Sequence, residues 1–373
     1  MLRHVRGARP GLLGIVGAVV TTMVATGPLA AVLTGPAGAA ATPAVAATAA
    51  VAWLTTQQQA DGGFELAGFP GFETPDAVLA IAMAAQTGPT WSTSSALAAV
   101  EALRYGGSGP TPLDALDAWV SGGISAGQAA KLILLVTGPL GLDPTDFGAS
   151  HTDLAAMLYP TGCAGGADIT GVLYYSEQTM GLVGELLCGA PDPAIVTRVR
   201  AGQRADGSWS YTGDPNEASD NGDEVDVTSI ALQVLIAAGA RWDDPAVRHG
   251  LAWLASRQFA SGAFDGFGLP DANSTAMALL VVAAAGFDPT SSCWRDSVTP
   301  SAAGTPYSDP QAWLLAQQRP DGRVVSPNDD YGVTTFATAQ AVEGWLRTWV
   351  PVVRATGAPD CAPVPEPEPA FTG

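Results

Sequence analysis

Charged residues are scarce in this chain of 373 residues, and basic residues are scarcer than acidic ones. Aspartate, glutamate, lysine and arginine make up 14% of the sequence, and the formal net charge is −19. Nucleic acids and anionic membrane surfaces repel so acidic a protein, so we expect neither as a partner. The simplest interpretation of the negative charge is that it keeps the protein in solution.

Histidine is also rare, and the motifs of several enzyme classes are missing. The three histidines are His4, His151 and His249, and no Asp-x-Cys precedes a suitable one to build a zinc prenyltransferase site. No G-x-S-x-G, P-loop or H-E-x-x-H sequence occurs. Zinc-dependent, hydrolytic and nucleotide-dependent chemistry are therefore not expected.

The few cysteines bear on the compartment of the protein. The four are Cys163, Cys188, Cys293 and Cys361. An even number in an exported chain indicates two disulfides, for which three pairings exist. We favour Cys163–Cys188 and Cys293–Cys361, because these pairings close the smaller loops. Four buried thiols are the alternative.

The N-terminus has the order of features that is typical of an export signal. A basic stretch at 1–9 precedes an uncharged apolar stretch at 11–33, and small residues at 37–39 or 44–46 offer cleavage sites. We therefore predict a signal peptide over 1–39 and a mature protein that is secreted or associated with the cell envelope. An uncleaved membrane anchor is the alternative, because the apolar stretch is long. No later segment has the length and apolarity of a membrane span.

One pattern of residues occurs four times. Each copy has an apolar pair, then a glutamine, a glycine four residues later, and a large apolar residue two beyond it. The copies contain Gln58, Gly62 and Phe64; Gln203, Gly207 and Trp209; Gln258, Gly262 and Phe264; and Gln318, Gly322 and Val324. The apolar residue and the glutamine share one helix face, and glycine supplies the left-handed backbone that ends a helix. The pattern therefore predicts a helix followed by a tight turn.

A second kind of helix follows each turn and is apolar nearly all round. These helices are predicted at 77–85, 229–238, 275–285 and 336–346. A helix that is apolar on every face is buried on every face, whereas the amphipathic first helices bury only one face. Each unit therefore pairs an outer helix with an inner one.

The number of units predicts a closed ring. The 145 residues between Gln58 and Gln203 leave room for two degenerate units beside the four clear ones. Six helix pairs can close a ring, whereas an open solenoid needs polar end caps, which we do not find. We predict an all-α fold, an (α/α)6 toroid over 45–351. The Pro/Glu-rich tail at 352–373 is predicted to be disordered or extended.

The repeated pattern resembles the QW motif of squalene–hopene-type class II terpene cyclases, and it is similar to the repeats of protein prenyltransferase β subunits. The resemblance covers about 47–350 and implies the toroid fold of these families. In the cyclases the glutamine and aromatic side chains are thought to tie helix ends together, a role that would fall here to Gln58, Gln203, Gln258 and Gln318. The secreted, disulfide-linked cobalamin carriers of the transcobalamin type are also similar, and they have no catalytic residues.

The resemblance also indicates one candidate acid. Class II cyclases carry an Asp-x-Asp-Asp-Thr-Ala motif at the start of an inner helix, and its third position protonates the substrate. Here Asp226 would hold that position, while Glu224 replaces the first aspartate and Val227 the last. The alternative is that Asp226 caps its helix, because Asp76 and Asp271 stand at similar helix starts and repetition favours a structural role.

Two further sets of residues are candidates for binding. Residues that could contact a hydrophobic or mixed ligand in a central cavity are Tyr174, Trp209, Tyr211, Phe267, Asn273 and Tyr331. For the aromatic residues, ordinary packing over helix ends is the alternative. Carboxylates that could bind calcium crowd into one loop: Asp214, Glu217, Asp220 and Asp223. Their spacing matches no EF-hand, and a solvated acidic loop is the alternative. No other cofactor is expected.

Two functions from different classes remain open. The favoured hypothesis is a non-enzymatic, exported scaffold that binds a small molecule or an envelope partner, because the acid motif is incomplete and the signal and cysteines suit the carriers. The alternative is an enzyme of the class II terpene cyclase type that uses Asp226 as its acid. Fold analogy alone does not decide between them.

Overall fold

The structure is a computed structural model that describes residues 42–64, 73–88, 90–170, 172, 174–218, 224–326 and 334–349. All of them belong to one compact unit, Ala41–Gly373. The predicted signal peptide and the Pro/Glu-rich tail therefore lie outside the described residues, as do Asp220, Asp223 and Tyr331.

Helices dominate the described part of the chain. The α-helices are α1 (Pro43–Gln57), α2 (Thr74–Ala84), α3 (Thr93–Ala102), α4 (Pro112–Ser121), α5 (Ala126–Leu132), α6 (Gly138–Leu140), α7 (Leu154–Leu158), α8 (Tyr174–Cys188), α9 (Pro193–Ala201), α10 (Glu224–Ala237), α11 (Pro245–Ser256), α12 (Ala272–Ala284), α13 (Cys293–Val298), α14 (Pro310–Ala316) and α15 (Thr334–Leu346). A π-helical turn, Ile133–Thr137, joins α5 to α6. Short 3-10 helices lie at Tyr105–Gly107, Cys163–Gly165 and Pro300–Ala302. One antiparallel hairpin pairs β1 (Phe264–Gly266) with β2 (Leu269–Asp271).

The helices form a closed double ring. Helix α2 packs against the π turn that continues α5, α5 packs against α8, α8 against α10, α10 against α12, and α12 against α15. Helix α15 returns to pack against α2, so these inner helices form a cycle. Each inner helix follows an outer one, namely α1, α4, α7, α9, α11 and α14. This is the predicted all-α toroid, and the fold class is confirmed.

The inner helices are buried on nearly every face, as their sequences predict. In α10 every residue except Asp226 is buried, and in α12 only Asn273 and Met277 are not. Each fully buried leucine or valine contributes about 1.5–3 kcal/mol, so the many buried side chains of these helices contribute strongly to the stability of the core. Small residues let the helices approach closely. A Cβ on Gly344 of α15 would lie 2.8 Å from the Ala276 Cα of α12.

Four tight turns share one set of hydrogen bonds, formed by the glutamines of the sequence pattern. The side-chain amides of Gln58, Gln203, Gln258 and Gln318 each donate to the carbonyl of the glycine four residues later, at 2.9–3.1 Å. Each amide also donates to a backbone carbonyl of the following outer segment, at Pro110, Ala246, Ser308 and Ala46 respectively. The glutamines thus join successive outer helices, the role that the cyclase resemblance implied.

The last of these turns closes the ring. Gln318 Nε2 donates to Ala46 O at 2.8 Å, across 272 residues of sequence. Gly322, in the same turn, has a φ of +100°, and a Cβ there would lie 2.2 Å from Ala49 O. The first and last outer helices therefore meet at a contact that only glycine allows.

A threonine on each of the four inner helices α2, α10, α12 and α15 completes these turns. The backbone N–H of the large apolar residue after the glycine donates to the hydroxyl of a threonine at 2.9–3.0 Å. The pairs are Phe64 with Thr74, Trp209 with Thr228, Phe264 with Thr275, and Val324 with Thr338. These threonines fix the register of each inner helix against its turn, so they give a common reference for comparing positions between hairpins.

A disulfide strengthens a hairpin that lacks this turn pattern. Cys163 and Cys188 are bonded, with their Cα atoms 5.7 Å apart, and the bond ties the end of α8 to the loop before it. This predicted pairing is confirmed. Cys293 is also disulfide-bonded, but its predicted partner Cys361 lies outside the described residues. Within the described ranges, no helix has the length and apolar character needed to cross a membrane.

Candidate active site

Three residues occupy equivalent positions where the inner helices begin. Each of these residues lies two positions before the reference threonine of its helix: Asp226 in α10, Asn273 in α12 and Phe336 in α15. The three therefore lie at the same height along the axis of the ring. All three are half-buried although their neighbours along the helix are mostly buried. Because the other faces pack against neighbouring helices, this half-buried face is the one that points toward the ring interior.

A chain of polar side chains runs along this inner face across four helices. Asn273 Nδ2 donates to Gln340 Oε1 at 2.9 Å, which joins α12 to α15. Gln340 Nε2 donates to Asp76 Oδ1 at 3.3 Å, which joins α15 to α2. Lys131 Nζ lies 2.7 Å from Asp76 Oδ2, which joins α2 to α5. Gln340 and Lys131 thus both contact Asp76, the first by a hydrogen bond and the second as an ion pair, and the Asp76 side chain is only 3% exposed.

Lys131 is placed by an interruption of its helix. It lies at the end of α5, directly before the π turn Ile133–Thr137. Such π turns widen a helix locally and often mark functional sites. Besides its ion pair with Asp76, the ammonium group lies 5.6 Å from the ring centre of Phe336. Lys131 therefore contacts both Asp76 of the polar chain and the aromatic ring of Phe336.

Glu343 lies about one helical turn beyond Gln340 in α15, on the helix face that also carries Phe336 and Gln340. It is 5% exposed, and its Oε1 has no hydrogen-bond partner among the described residues. Burial raises the pKa of Glu343 well above its ordinary value, and the negative charge of Asp76 raises it further, whereas Lys131 opposes the shift. Burial without a hydrogen-bond donor to Oε1 therefore favours the protonated form of Glu343.

The candidate acid motif has a different geometry. Asp226 lies in the first turn of α10 on the inner face, as described. Glu224 points the other way into a buried ion pair, with Arg204 Nη1 2.5 Å from its Oε1 and both side chains no more than 6% exposed. Arg204 also donates to Ala218 O at 3.2 Å. Glu224 thus anchors the loop before α10 rather than facing Asp226.

The helix starts that looked alike in sequence are not alike in structure. Asp271 is a true N-cap, since its Oδ1 accepts the Ser274 N–H at 2.8 Å. Asp76 instead follows its reference threonine, Thr74, by two residues and binds Lys131 and Gln340. The cap interpretation holds for Asp271 and fails for Asp76.

The predicted ligand-binding residues are spread over different environments. Trp209 is fully buried, and its indole N–H donates to Val199 O at 2.5 Å, so it packs over the end of α9. Tyr174 is buried at the start of α8. Tyr211 and Phe267 are exposed by 38% and 67%. Of this set, Asn273 is the residue that the structure brings into the polar chain.

The acidic loop is described only in part. Asp214 Oδ1 accepts the Asn216 N–H at 2.9 Å, and Glu217 Oε2 accepts from the Thr212 hydroxyl. Among the described residues, no group of three or more histidines, cysteines or carboxylates is arranged to hold a metal ion. The calcium site stays a prediction that includes residues outside the described part.

We call the polar side chains of the ring interior the inner-face cluster, which consists of Asp76, Lys131, Asn273, Gln340 and Glu343. Sequence reasoning named only Asn273 as a site residue and missed the other four. A signal for two of them was available. Lys131 and Glu343 are ionisable residues inside helices that are otherwise apolar or small, and such groups are rarely buried without a partner or a function. Their partnership could not be read from sequence, because it joins residues more than 50 positions apart through ring closure.

Comparison with solved structures identifies the same fold. The chain is similar to the type II terpene cyclase MstE from Scytonema without ligand, in a Tyr→Phe variant, with 15% identity, a TM-score of 0.53, and coverage of 82% of this chain and 96% of that one. An Asp→Asn variant with geranylgeranyl dihydroxybenzoate, its substrate, has 16% identity and a TM-score of 0.50, with 82% and 97% covered. An Asp→Ala variant with merosterolic acid A, its product, has 16% identity and a TM-score of 0.52, with coverage of 82% of this chain and 96% of that one. The chain matches no protein-family model and no curated protein.

These matches correct the functional expectation. The preference for a non-enzymatic scaffold was wrong, because the toroid that this chain resembles over most of its length is an enzyme solved with substrate and with product. The preference rested on the export signal, the cysteines and the incomplete motif around Asp226. The inner face carries two further carboxyl groups, Asp76 and Glu343, that no motif flagged. At this level of identity the likeness itself establishes the fold alone.

Proposed function

We propose that this protein is an enzyme of the class II terpene cyclase type, which protonates a hydrophobic prenyl substrate and lets it cyclise inside the ring. The observation that carries the proposal is Glu343, a buried carboxyl group whose pKa is raised by burial and by the nearby charge of Asp76. A general acid must hold its proton before the substrate arrives, and burial in a water-poor interior supplies that condition.

Asp226 is the second candidate for the acid. It lies on the inner face at the level of Asn273 and Phe336, and in the motif comparison it holds the proton-donor position. The two candidates differ in environment, since Glu343 is 5% exposed and Asp226 is half-buried. A prenyl chain that reaches either acid would meet apolar side chains, namely Phe336, Ile230, Met277 and Leu280.

The test is conversion of a prenyl substrate by the purified chain. We would incubate it with geranylgeranyl dihydroxybenzoate and with an unsubstituted polyprenyl chain, and look for products of unchanged mass that contain fewer double bonds. Glu343→Gln should abolish conversion if Glu343 is the donor, and Asp226→Asn should do so if the motif residue is. Glu101→Gln, at an exposed position of α3, is the matched control.

Absence of conversion with both substrates would contradict the proposal, and so would conversion that survives both substitutions. Circular dichroism must first show that each variant is folded. A loss confined to one of the two variants would assign the proton donor directly.

We also propose that the protein works outside the cytoplasm. The Cys163–Cys188 disulfide supports this, because such bonds persist in oxidising compartments. The proposal includes removal of the predicted signal peptide over 1–39. N-terminal sequencing of the protein recovered from its host tests it, and a mature chain that still starts at Met1 would contradict cleavage.

A further inference from the structure

The inner-face cluster contains two carboxyl groups and a single cation, and this raises the question of which carboxyl holds the proton. Lys131 is the only lysine in the chain, in which all other basic side chains except histidine are arginines. This one lysine is directed into the ring interior, 2.7 Å from Asp76. An ammonium group is a compact point charge, so it pairs with one carboxylate without the wide fork of a guanidinium.

The hydrogen bonds around Asp76 all suit its charged form. Gln340 donates to Oδ1, and the Lys131 ammonium lies 2.7 Å from Oδ2 as an ion-pair partner, so each carboxylate oxygen faces a positively polarised group. The Gln340 amide is itself oriented by Asn273, which donates to its Oε1. A protonated Asp76 would lose the ion pair with Lys131, and one of its oxygens would become a donor. The series of hydrogen bonds in which Asn273 donates to Gln340 and Gln340 donates to Asp76 would then no longer be favoured.

The surroundings of Glu343 are the opposite. Its helix α15 packs against α1, α2, α12 and α14, and three of these helices, α1, α12 and α14, contain no ionisable residue. Of the capping carboxylates nearby, Asp271 and Asp309 accept backbone N–H groups, and Glu73 accepts from the Thr335 hydroxyl. The charged groups that act on Glu343 are therefore Asp76 and Lys131, and Glu343 Oε1 receives no hydrogen bond among the described residues.

We infer that Lys131 is the positioning residue of this site: by holding Asp76 as a carboxylate, it places the single proton of the Asp76–Glu343 pair on Glu343. The inference rests on the proposed function for its catalytic meaning, since a proton on Glu343 is the one available to a substrate. Lys131 acts through Asp76, so its removal lets Asp76 take up a second proton and removes no acid from the site.

The proton can be located without any turnover. Infrared spectroscopy of the full chain at neutral pH resolves the C=O stretch of protonated carboxyl groups, and wild type should show a band that disappears in Glu343→Gln but not in Asp226→Asn. In Lys131→Met, Asp76 loses its counter-charge, so a second band should appear that disappears when Asp76→Asn is added. Lys131→Arg keeps the charge and should restore the wild-type spectrum.

A measurement on the unmodified site covers the case in which Lys131→Met does not fold. Lysine labelled with ¹³C and ¹⁵N gives a single set of side-chain NMR signals in this chain, because Lys131 is its only lysine. The ammonium signals should shift on Asp76→Asn and stay in place on Asp226→Asn. Signals of a freely solvated lysine that ignore Asp76→Asn would overturn the inference, as would an unchanged carboxyl band in a folded Lys131→Met.

Activity separates this inference from the proposed function. If the protein cyclises prenyl substrates, Lys131→Met should lower kcat and shift its pH profile, while Lys131→Arg recovers most of it. If no variant or wild-type protein shows conversion, the proposed function fails, but the infrared and NMR results still decide whether Lys131 sets the protonation of the pair.

Discussion

Closure of the ring at Gly322 makes a stability prediction that can be worked out from the structure. Gly322 has a φ of +100°, and a Cβ added there would lie 2.2 Å from Ala49 O in α1. Gly304 also has a positive φ, +79°, but a Cβ there would meet no atom within 4 Å. The pair Gly322→Ala and Gly304→Ala therefore separates the cost of backbone strain from the cost of the close approach.

The expected costs differ by more than the error of the measurement. Backbone strain in the left-handed region costs about 1–2 kcal/mol for alanine at either position. At Gly322, α1 must also move by about 0.8 Å to restore a tolerable 3.0 Å separation. That shift breaks the Gln318–Ala46 hydrogen bond, and losing one hydrogen bond of this half-buried amide adds about 0.5–1.5 kcal/mol. We expect about 1.5–3.5 kcal/mol for Gly322→Ala and about 1–2 kcal/mol for Gly304→Ala.

Urea unfolding of both variants, followed by far-ultraviolet circular dichroism, measures the difference as a shift in midpoint at constant slope. Adding Gln318→Ala to Gly322→Ala should cost little more, because the first substitution has already broken that contact. Gln317→Ala, whose amide reaches only Trp313 O in its own helix, is the matched control for Gln318→Ala. Equal midpoints for Gly322→Ala and Gly304→Ala would refute closure at this contact.

Three other predictions concern buried charge and covalent ties. Because the pKa of Glu343 is raised in the folded state, its contribution to stability is present below the ordinary pKa of 4.5 and is lost as pH rises toward the folded value. Glu343→Gln should therefore flatten the fall of the urea midpoint with pH. Glu224→Gln strands the Arg204 charge in the core and should cost about 3–5 kcal/mol in urea unfolding. Replacing Cys163 and Cys188 together by serine removes a 25-residue loop constraint and should cost about 3 kcal/mol.

Two of these predictions have a matched control at an exposed site. Glu101→Gln should leave the pH dependence of the midpoint unchanged. Asp243→Asn breaks the ion pair with Arg241, in which both side chains are more than 50% exposed, and should cost under about 0.5 kcal/mol. Equal effects of Glu224→Gln and Asp243→Asn would contradict the buried ion pair. A midpoint that is insensitive to loss of the disulfide would mean that the loop is held by its packing alone.

The elements of the fold could be predicted because their signals are local. Glutamine, glycine and the apolar residue of each turn lie within seven positions of one another, and each turn forms as expected. Helix starts were predicted too late, however. Helix α10 begins at Glu224 rather than Ser229, and α12 at Ala272 rather than Thr275. The first turns carry polar residues that face the ring interior, so an apolar pattern does not register them.

The site could not be predicted in the same way, because its members are brought together by ring closure. Asp76 and Gln340 are 264 residues apart, and only the packing of α15 against α2 joins them. The sequence made Asp76, Asp226 and Asp271 look equivalent, since each stands near a helix start. Their positions relative to the reference threonine differ, and so do their directions in space.

That difference separates the parts of the hairpin that hold the ring from the part that faces its interior. Glutamine, glycine and threonine recur because every turn needs the same hydrogen bonds. The position two residues before the threonine makes none of these bonds, and three hairpins place Asp226, Asn273 and Phe336 there. Since no turn constrains this position, an acid, an amide and an aromatic ring are equally compatible with closure. Chemistry on the inner face can therefore vary without loss of the fold, which is why the repeated pattern predicted the toroid and left its reaction open.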